Sequence, residues 1–213
     1  MMKLYDYYRS SAAYRVRIAL NIKQLSYEQL PISLIDNEHN SDGYTSVNPH
    51  ALVPGLQLER SGDTSVLGQS IAIIEYLDEC YPEPPLLPAL PLEKARCREI
   101  SLAIACDIHP LNNLRILNYL NTELGVNQNE KMVWYHHWLS RGFQTLERLI
   151  SHQNTSFCCS EHPTMADLCL IPQLYNAKRF GFDTSSYPAL LNIERRCFTL
   201  TPFIQAHPDN QSI

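Results

Sequence analysis

Two serines stand side by side in the run Tyr8-Arg9-Ser10-Ser11-Ala12-Ala13-Tyr14-Arg15-Val16-Arg17, where an aromatic-rich strand pattern gives way to a helical one. A helix start presents N–H groups with no intrahelical partner and a partial positive charge, which favours an anion, a thiolate included. A serine hydroxyl aimed at sulfur donates to S⁻ and lowers the thiol pKa. The same serines can also serve only as helix caps. A second corner is Val53-Pro54, between a loop and a strand. In its cis form such a bond exposes the preceding backbone N–H and C=O for antiparallel pairing with a peptide-like ligand, although most X–Pro bonds are trans. A third corner is Gly68-Gln69-Ser70, where the Ser70 hydroxyl and the N–H groups of a new helix can hold a carboxylate or again form an ordinary cap.

The elements that must position these corners alternate. Residues 3–8 read as a strand, 13–24 as a helix with Val16, Ala19, Leu20 and Lys23 along one face, and 27–32 as a second strand. The crossover between them should be right-handed and parallel. Residues 36–45 are polar loop with a turn of helix at most. Strands then follow at 55–59 and 64–67 around an Arg60-Ser61-Gly62-Asp63 turn, and a helix at 69–81 carries Ile71, Ile73, Ile74, Tyr76 and Leu77. The order βαβ(α)ββα is that of a thioredoxin-like α/β domain, spanning residues 1–82.

Residues 83–91 form a proline-rich connector that cannot continue a helix. From 92 to 213 the pattern is all-α. A long helix over 92–120 has Ile100, Ile104, Ile108, Leu111 and Leu114 in step, and Pro110 predicts a kink or break inside it. A second helix over 131–150 has Trp134, Trp138, Leu139, Leu146 and Leu149 on its apolar side. Thr164-Met165-Ala166-Asp167 opens a third with a capping-box pattern, and a last helix covers 189–200.

Bulk properties exclude more than they assign. Of 213 residues, 45% are hydrophobic and the formal net charge is -5, which suits a globular protein and not a nucleic-acid-binding surface. The N-terminal residues lack the apolar core of a signal peptide, and no apolar run approaches a membrane span. Seven cysteines show neither zinc-ligand spacing nor a CxxC pair, so no metal is expected and the thiols should be reduced packing residues of a cytoplasmic protein.

Across essentially its whole length the chain resembles the zeta class of glutathione transferases, the maleylacetoacetate isomerases. The resemblance rests on Arg9-Ser10-Ser11 with Arg15 to Leu20, Asn48-Pro49 leading to Val53-Pro54, and Gln69 to Leu77. It continues in His109-Pro110-Leu111-Asn112-Asn113-Leu114 and in Thr164 to Leu170. It implies a glutathione-transferase fold, a homodimer, glutathione as cofactor and a small di-acid substrate. It also implies Ser10 as the catalytic serine with Ser11 as helper at the thiolate, and Val53 beside Pro54 as the partner of the glutathione backbone. Gln69 and Ser70 would hold the γ-glutamyl end and His39 would lie near the glycine carboxylate. His109, Asn113 and Arg115 match positions that line the ligand cleft. Arg9, Arg15, Arg115 and Arg179 are the candidate cations for substrate carboxylates, although an arginine more often sits in a surface salt bridge. The family motif usually reads Ser-Ser-Cys. Ala12 occupies the cysteine position, which the implied chemistry spares because glutathione brings the sulfur. In that chemistry a thiolate adds to a conjugated cis alkene, the resulting single bond rotates, and expulsion of the thiolate leaves the trans product. Maleylpyruvate isomerisation, general glutathione conjugation and a non-catalytic binding module are the alternatives.

Overall fold

The computed structural model describes residues 1–60 and 63–211, with the side chains of residues 60 and 63 outside the description. Residues Ser61 and Gly62 of the expected turn therefore lie outside the described residues. The chain divides into two compact units, Met1–Leu87 with Phe198–Ile213 and Pro88–Cys197.

The first unit is built on a four-stranded mixed sheet. Its strands are β1 (Met2–Asp6), β2 (Tyr27–Pro31), β3 (Gly55–Arg60) and β4 (Asp63–Gly68), in the order β2-β1-β3-β4. β1 runs parallel to β2 across a helical crossover, whereas β3 is antiparallel to both β1 and β4. The helices are α1 (Ser11–Ile22), α2 (Asp42–Val47) and α3 (Ser70–Cys80). The α1 face expected from periodicity is buried, with Val16, Ala19 and Leu20 at 0% exposure. Burial, however, runs unbroken from Ala13 to Leu20 because α1 packs against both α3 and a further short helix, α9 (Thr201–Ala206). The sequence places residues 198–211 in the helical domain, yet their contacts lie in this first unit. Asn21 Nδ2 donates to the Pro202 carbonyl and Arg17 Nε to that of Ala206. Lys23, expected on the apolar face, ends on the Asp78 carboxylate and on the carbonyls of Tyr81 and Pro84, which anchors the proline-rich segment.

The second unit is helical: α4 (Pro91–Leu102), α5 (Leu114–Thr122), α6 (Gln128–Ser151), α7 (Met165–Arg179) and α8 (Pro188–Cys197). The helical run over 92–120 is broken around Pro110, as its missing N–H predicts. Pro110 lacks an N–H and its ring crowds the preceding turn, and the chain answers with a wide π turn at Ala103–Ile108 and a 3-10 turn at Pro110–Asn112. The His109 N–H reaches back five residues to the Ile104 carbonyl. Ile100, Ile104 and Ile108 are buried as read, whereas Leu114 is exposed. On α6 the buried stripe is Tyr135, Leu139, Phe143, Leu146 and Ile150; Leu139 and Leu146 are buried as expected, while Trp134, Trp138 and Leu149 lie at its margin. Trp134 is only half-buried because its indole N–H is turned to the Leu111 carbonyl, pinning the 3-10 turn. Gly142 lets α6 pass close to the π turn, for a Cβ there would lie 2.3 Å from Ile108 Cδ1.

The cap of α7 matches its sequence pattern. Asp167 is fully buried at the third helical position and accepts from the Thr164 N–H, the Thr164 hydroxyl and the Cys158 N–H. Burial pushes its carboxyl above the usual range, against the pull of those hydrogen bonds. All seven cysteines are free thiols; Cys80 and Cys106 are exposed and the other five buried.

Candidate active site

The three corners picked out from sequence all lie in the first unit. At the first, β1 ends at Asp6 and a turn closed by Ser10 N–H to the Tyr7 carbonyl delivers Ser10 as the N-cap of α1. Its Oγ accepts from the Ala13 N–H at 3.2 Å. Capping and chemistry are therefore compatible here. The cap occupies a lone pair, and the hydroxyl still has its proton to give. Ser11 opens the helix and is buried, while Ala12 is half-buried.

The residue that holds this turn escaped the sequence reading. Arg17 is fully buried and its Nη1 lies 2.8 Å from both oxygens of Asp6. Its Nη2 donates to the Tyr8 carbonyl at 2.9 Å, two residues before Ser10. A buried ion pair is poor evidence of net stabilisation, but one this fully hydrogen-bonded fixes geometry. Nothing in the residue type of Arg17 announces it, because its partners are set by tertiary contacts.

At the second corner the Val53-Pro54 peptide bond is cis. The preceding loop is pinned by Asn48, which is buried and donates to the Leu52 carbonyl, an acceptor shared with the Tyr44 hydroxyl. This gives the Asn48-Pro49 motif a physical task. Among the described residues, the N–H and C=O of Val53 take part in no hydrogen bond. A peptide backbone laid alongside could use both.

At the third corner Gln69 is the N-cap of α3 with φ 65° and ψ 114°, and its side chain makes no capping bond. A non-glycine residue at positive φ is strained by about 1–3 kcal/mol, and such strain gathers at binding sites. Gln69 is exposed, and Ser70 beside it is buried. Ser70 Oγ accepts from Arg15 Nη1 at 3.1 Å. His39, in a 3-10 turn at Glu38–Asn40, has a buried Nδ1 without a hydrogen-bond partner among the described residues, and its Nε2 meets the Asn40 side chain.

The remaining candidates belong to the second unit. Asn113 is the N-cap of α5 and accepts from the Arg115 N–H, and the His109 ring lies 3.4 Å from the Asn113 amide. Arg115 is exposed. Arg179 ends α7, exposed, with its guanidinium 4.8 Å above the Phe180 ring; Arg9 in the first unit stands likewise 4.8 Å above Tyr8. Both planes are steadied by an aromatic face, leaving N–H edges for a planar anion. Arg15 differs from these three arginines in being 1% exposed.

The first unit thus offers a proton donor at a helix start, an unpaired stretch of backbone, a second donor at another helix start and a buried unsatisfied imidazole nitrogen. These features fit a small peptide bearing a thiol and carboxylates. Comparison with known proteins agrees. Residues 1–79 match the family model for the glutathione S-transferase N-terminal domain. A protein of Vibrio cholerae named "Probable maleylacetoacetate isomerase" is 48% identical, over 98% of this chain and 96% of its own. The holo structure of a maleylpyruvate isomerase, a bacterial glutathione S-transferase of the zeta class, superposes with a TM-score of 0.93 at 39% identity, covering 98% of both chains. A maleylacetoacetate isomerase of Anaeromyxobacter dehalogenans with glutathione in its active site superposes with a TM-score of 0.91 at 37% identity, covering 99% of this chain and 96% of that one. With relatives this similar along almost its full length, the chain belongs to the zeta-class glutathione transferases, the family of the maleylacetoacetate isomerases.

Proposed function

We propose that this chain is a glutathione-dependent isomerase that converts maleylacetoacetate to fumarylacetoacetate. The observation that carries the reading is Ser10, capped onto the Ala13 N–H through a lone pair while its proton stays available at the start of α1. Glutathione supplies the sulfur nucleophile, which adds to the cis alkene and leaves after rotation about the former double bond. Ser10, with Ser11 beside it, donates to that sulfur and keeps it ionised. Val53 pairs with the peptide backbone next to Pro54, Gln69 and Ser70 hold the γ-glutamyl end, and His39 offers its Nδ1 side to the glycine carboxylate. Arg9 and Arg179 are the candidate cations for the carboxylates of the di-acid substrate, and His109, Asn113 and Arg115 are the further ligand-binding candidates. Ala12 needs no thiol for this role, since the sulfur arrives with the cofactor.

The test is formation of fumarylacetoacetate with and without added glutathione. Turnover that ignores glutathione, or a product that retains it, defeats the reading. Isomerisation of maleylpyruvate is a second reading, favoured by the likeness to a zeta-class maleylpyruvate isomerase. Specificity constants measured on both substrates separate the two. We infer a homodimer from the family resemblance, a reading that sedimentation equilibrium checks. Seven free thiols support a reducing, cytoplasmic setting.

A further inference from the structure

Arg15 is buried at 1% exposure, and an arginine is costly to bury unless its donors are used. Its Nη1 donates to Ser70 Oγ at 3.1 Å across a separation of 55 residues, joining α1 to the first residue of α3. Both partners of this bond are buried. A guanidinium carries only donors, whereas a hydroxyl has one proton and two lone pairs. Arg15 can therefore occupy a lone pair of Ser70 but never accept its proton. The Ser70 hydroxyl is left as a donor towards something else. A buried cation beside it and the positive start of α3 around it make an anion the favoured recipient. The strained Gln69 backbone immediately before Ser70 marks the same corner.

We infer that Arg15 is a positioning residue for the γ-glutamyl α-carboxylate of glutathione, acting through Ser70 by fixing its hydroxyl as a donor, and not a direct holder of the di-acid substrate. This rests on the glutathione reading above. It assigns Arg15 a task different from that of the exposed Arg9 and Arg179, and it links the helix that carries Ser10 to the helix that receives the far end of the cofactor.

The experiment measures binding by calorimetry, using glutathione and 4-aminobutyryl-Cys-Gly, which keeps the amine and the thiol but lacks the α-carboxylate. Arg15→Gln, Arg15→Lys, Ser70→Ala and the double variant Arg15→Gln/Ser70→Ala are compared with the wild type. Arg15→Gln is expected to weaken glutathione about tenfold or more, while changing affinity for the truncated tripeptide by less than about twofold. The double variant should lose little beyond the worse single one, since both changes remove the same contact. Arg15→Lys should recover part of the affinity, because the charge and one donor remain. In turnover, the apparent KM for glutathione should rise with kcat nearly unchanged at saturation. Equal losses for both tripeptides, or additive losses in the double variant, would show a merely structural role and overturn the inference. Wild-type affinity for glutathione in Arg15→Gln would overturn it too. If Arg15→Gln does not fold, Arg15→Lys and Ser70→Ala decide by the same selectivity between the tripeptides. Failure of the wild type itself to bind glutathione would remove the functional reading along with the inference, an outcome distinct from the others.

Discussion

A serine at a helix start is ambiguous from sequence, because capping and catalysis ask for the same residue type. The structure separates the two demands atom by atom. The Ala13 N–H uses an Oγ lone pair of Ser10, and a sulfur anion would use the hydroxyl proton. Substitutions can follow the same division. Ser10→Ala should cost about 1 kcal/mol of stability from the lost cap and lower turnover roughly ten- to hundredfold, the worth of a hydrogen bond to a charged acceptor. Ser10→Asp keeps a good cap but has no proton to give, so thermal unfolding should stay near wild type while activity is lost. Ultraviolet titration of bound glutathione should show its thiol pKa raised in both variants. Substantial turnover in Ser10→Asp would move the role to Ser11 or to the helix start itself. At this scale, what could be read in advance was residue type at a boundary: Ser10, Ser70 and Pro54 stood out because each lies where a helix or strand begins. Arg17 and Asn48 did not, since a buried arginine and a loop asparagine acquire meaning only once the Tyr8 and Leu52 carbonyls are brought to them.

Among the elements, α3 was readable to within a residue from its apolar spacing, and the start of α7 from its capping pattern. Over 92–120 the interruption at Pro110 was readable but the ends of the segments were not, because periodicity survives a break when the turns on either side keep their phase. Ile100, Ile104 and Ile108 stay in step through the π turn. Gly142 shows what a one-dimensional pattern omits. By propensity alone, alanine in the middle of α6 should gain about 1 kcal/mol. A Cβ there would meet Ile108 Cδ1 at 2.3 Å and Cγ1 at 2.4 Å, and Ile108 is itself buried. Overpacking of this kind costs about 1–3 kcal/mol, so Gly142→Ala should be neutral at best and more plainly destabilising as Ile108 is held. Ile108→Ala in the same chain removes both clashing atoms and leaves Cβ at 3.6 Å, so it should relieve the crowding, and denaturant unfolding of the single and double variants reads the coupling.

The cap of α7 carries its own pH signature. Burial raises the Asp167 carboxyl in the folded state, the hydrogen bonds from Cys158 and Thr164 opposing it only in part. Between the ordinary carboxyl pKa of about 3.9 and the raised folded value, the native state holds a proton that the unfolded state has released. Stability from this group is therefore complete below the unfolded value and declines as pH rises through the folded one. The stability of wild type relative to Asp167→Asn should accordingly shrink as pH rises above about 4. A flat or growing difference, measured by chemical denaturation, would mean that hydrogen bonding and not burial governs the site.

At the scale of the whole chain, the reading that sequence could not supply is where the last residues belong. Helix α9 is too short for periodicity to declare, yet Phe203 is fully buried and Ala206 nearly so. Their partners are more than 180 positions away, since Arg17 bonds the Ala206 carbonyl at a separation of 189 residues and Asn21 that of Pro202 at 181. The same Arg17 holds Tyr8 and Asp6, so the end of the chain helps to set the turn that presents Ser10. Such a closure carries a large loop entropy and is repaid only when the first unit is otherwise formed, which makes α9 a late and conditional part of it. Phe203→Ala should cost about 3–5 kcal/mol. Hydrogen exchange should accelerate first in α1 and β1, and the variant should bind glutathione more weakly before it unfolds. Protection of α6 and α7, which belong to the second unit, should change far less. Equal acceleration in all four elements would show that the chain opens as a single cooperative body, and unchanged exchange in α1 would mean that α9 rests on the first unit without supporting it.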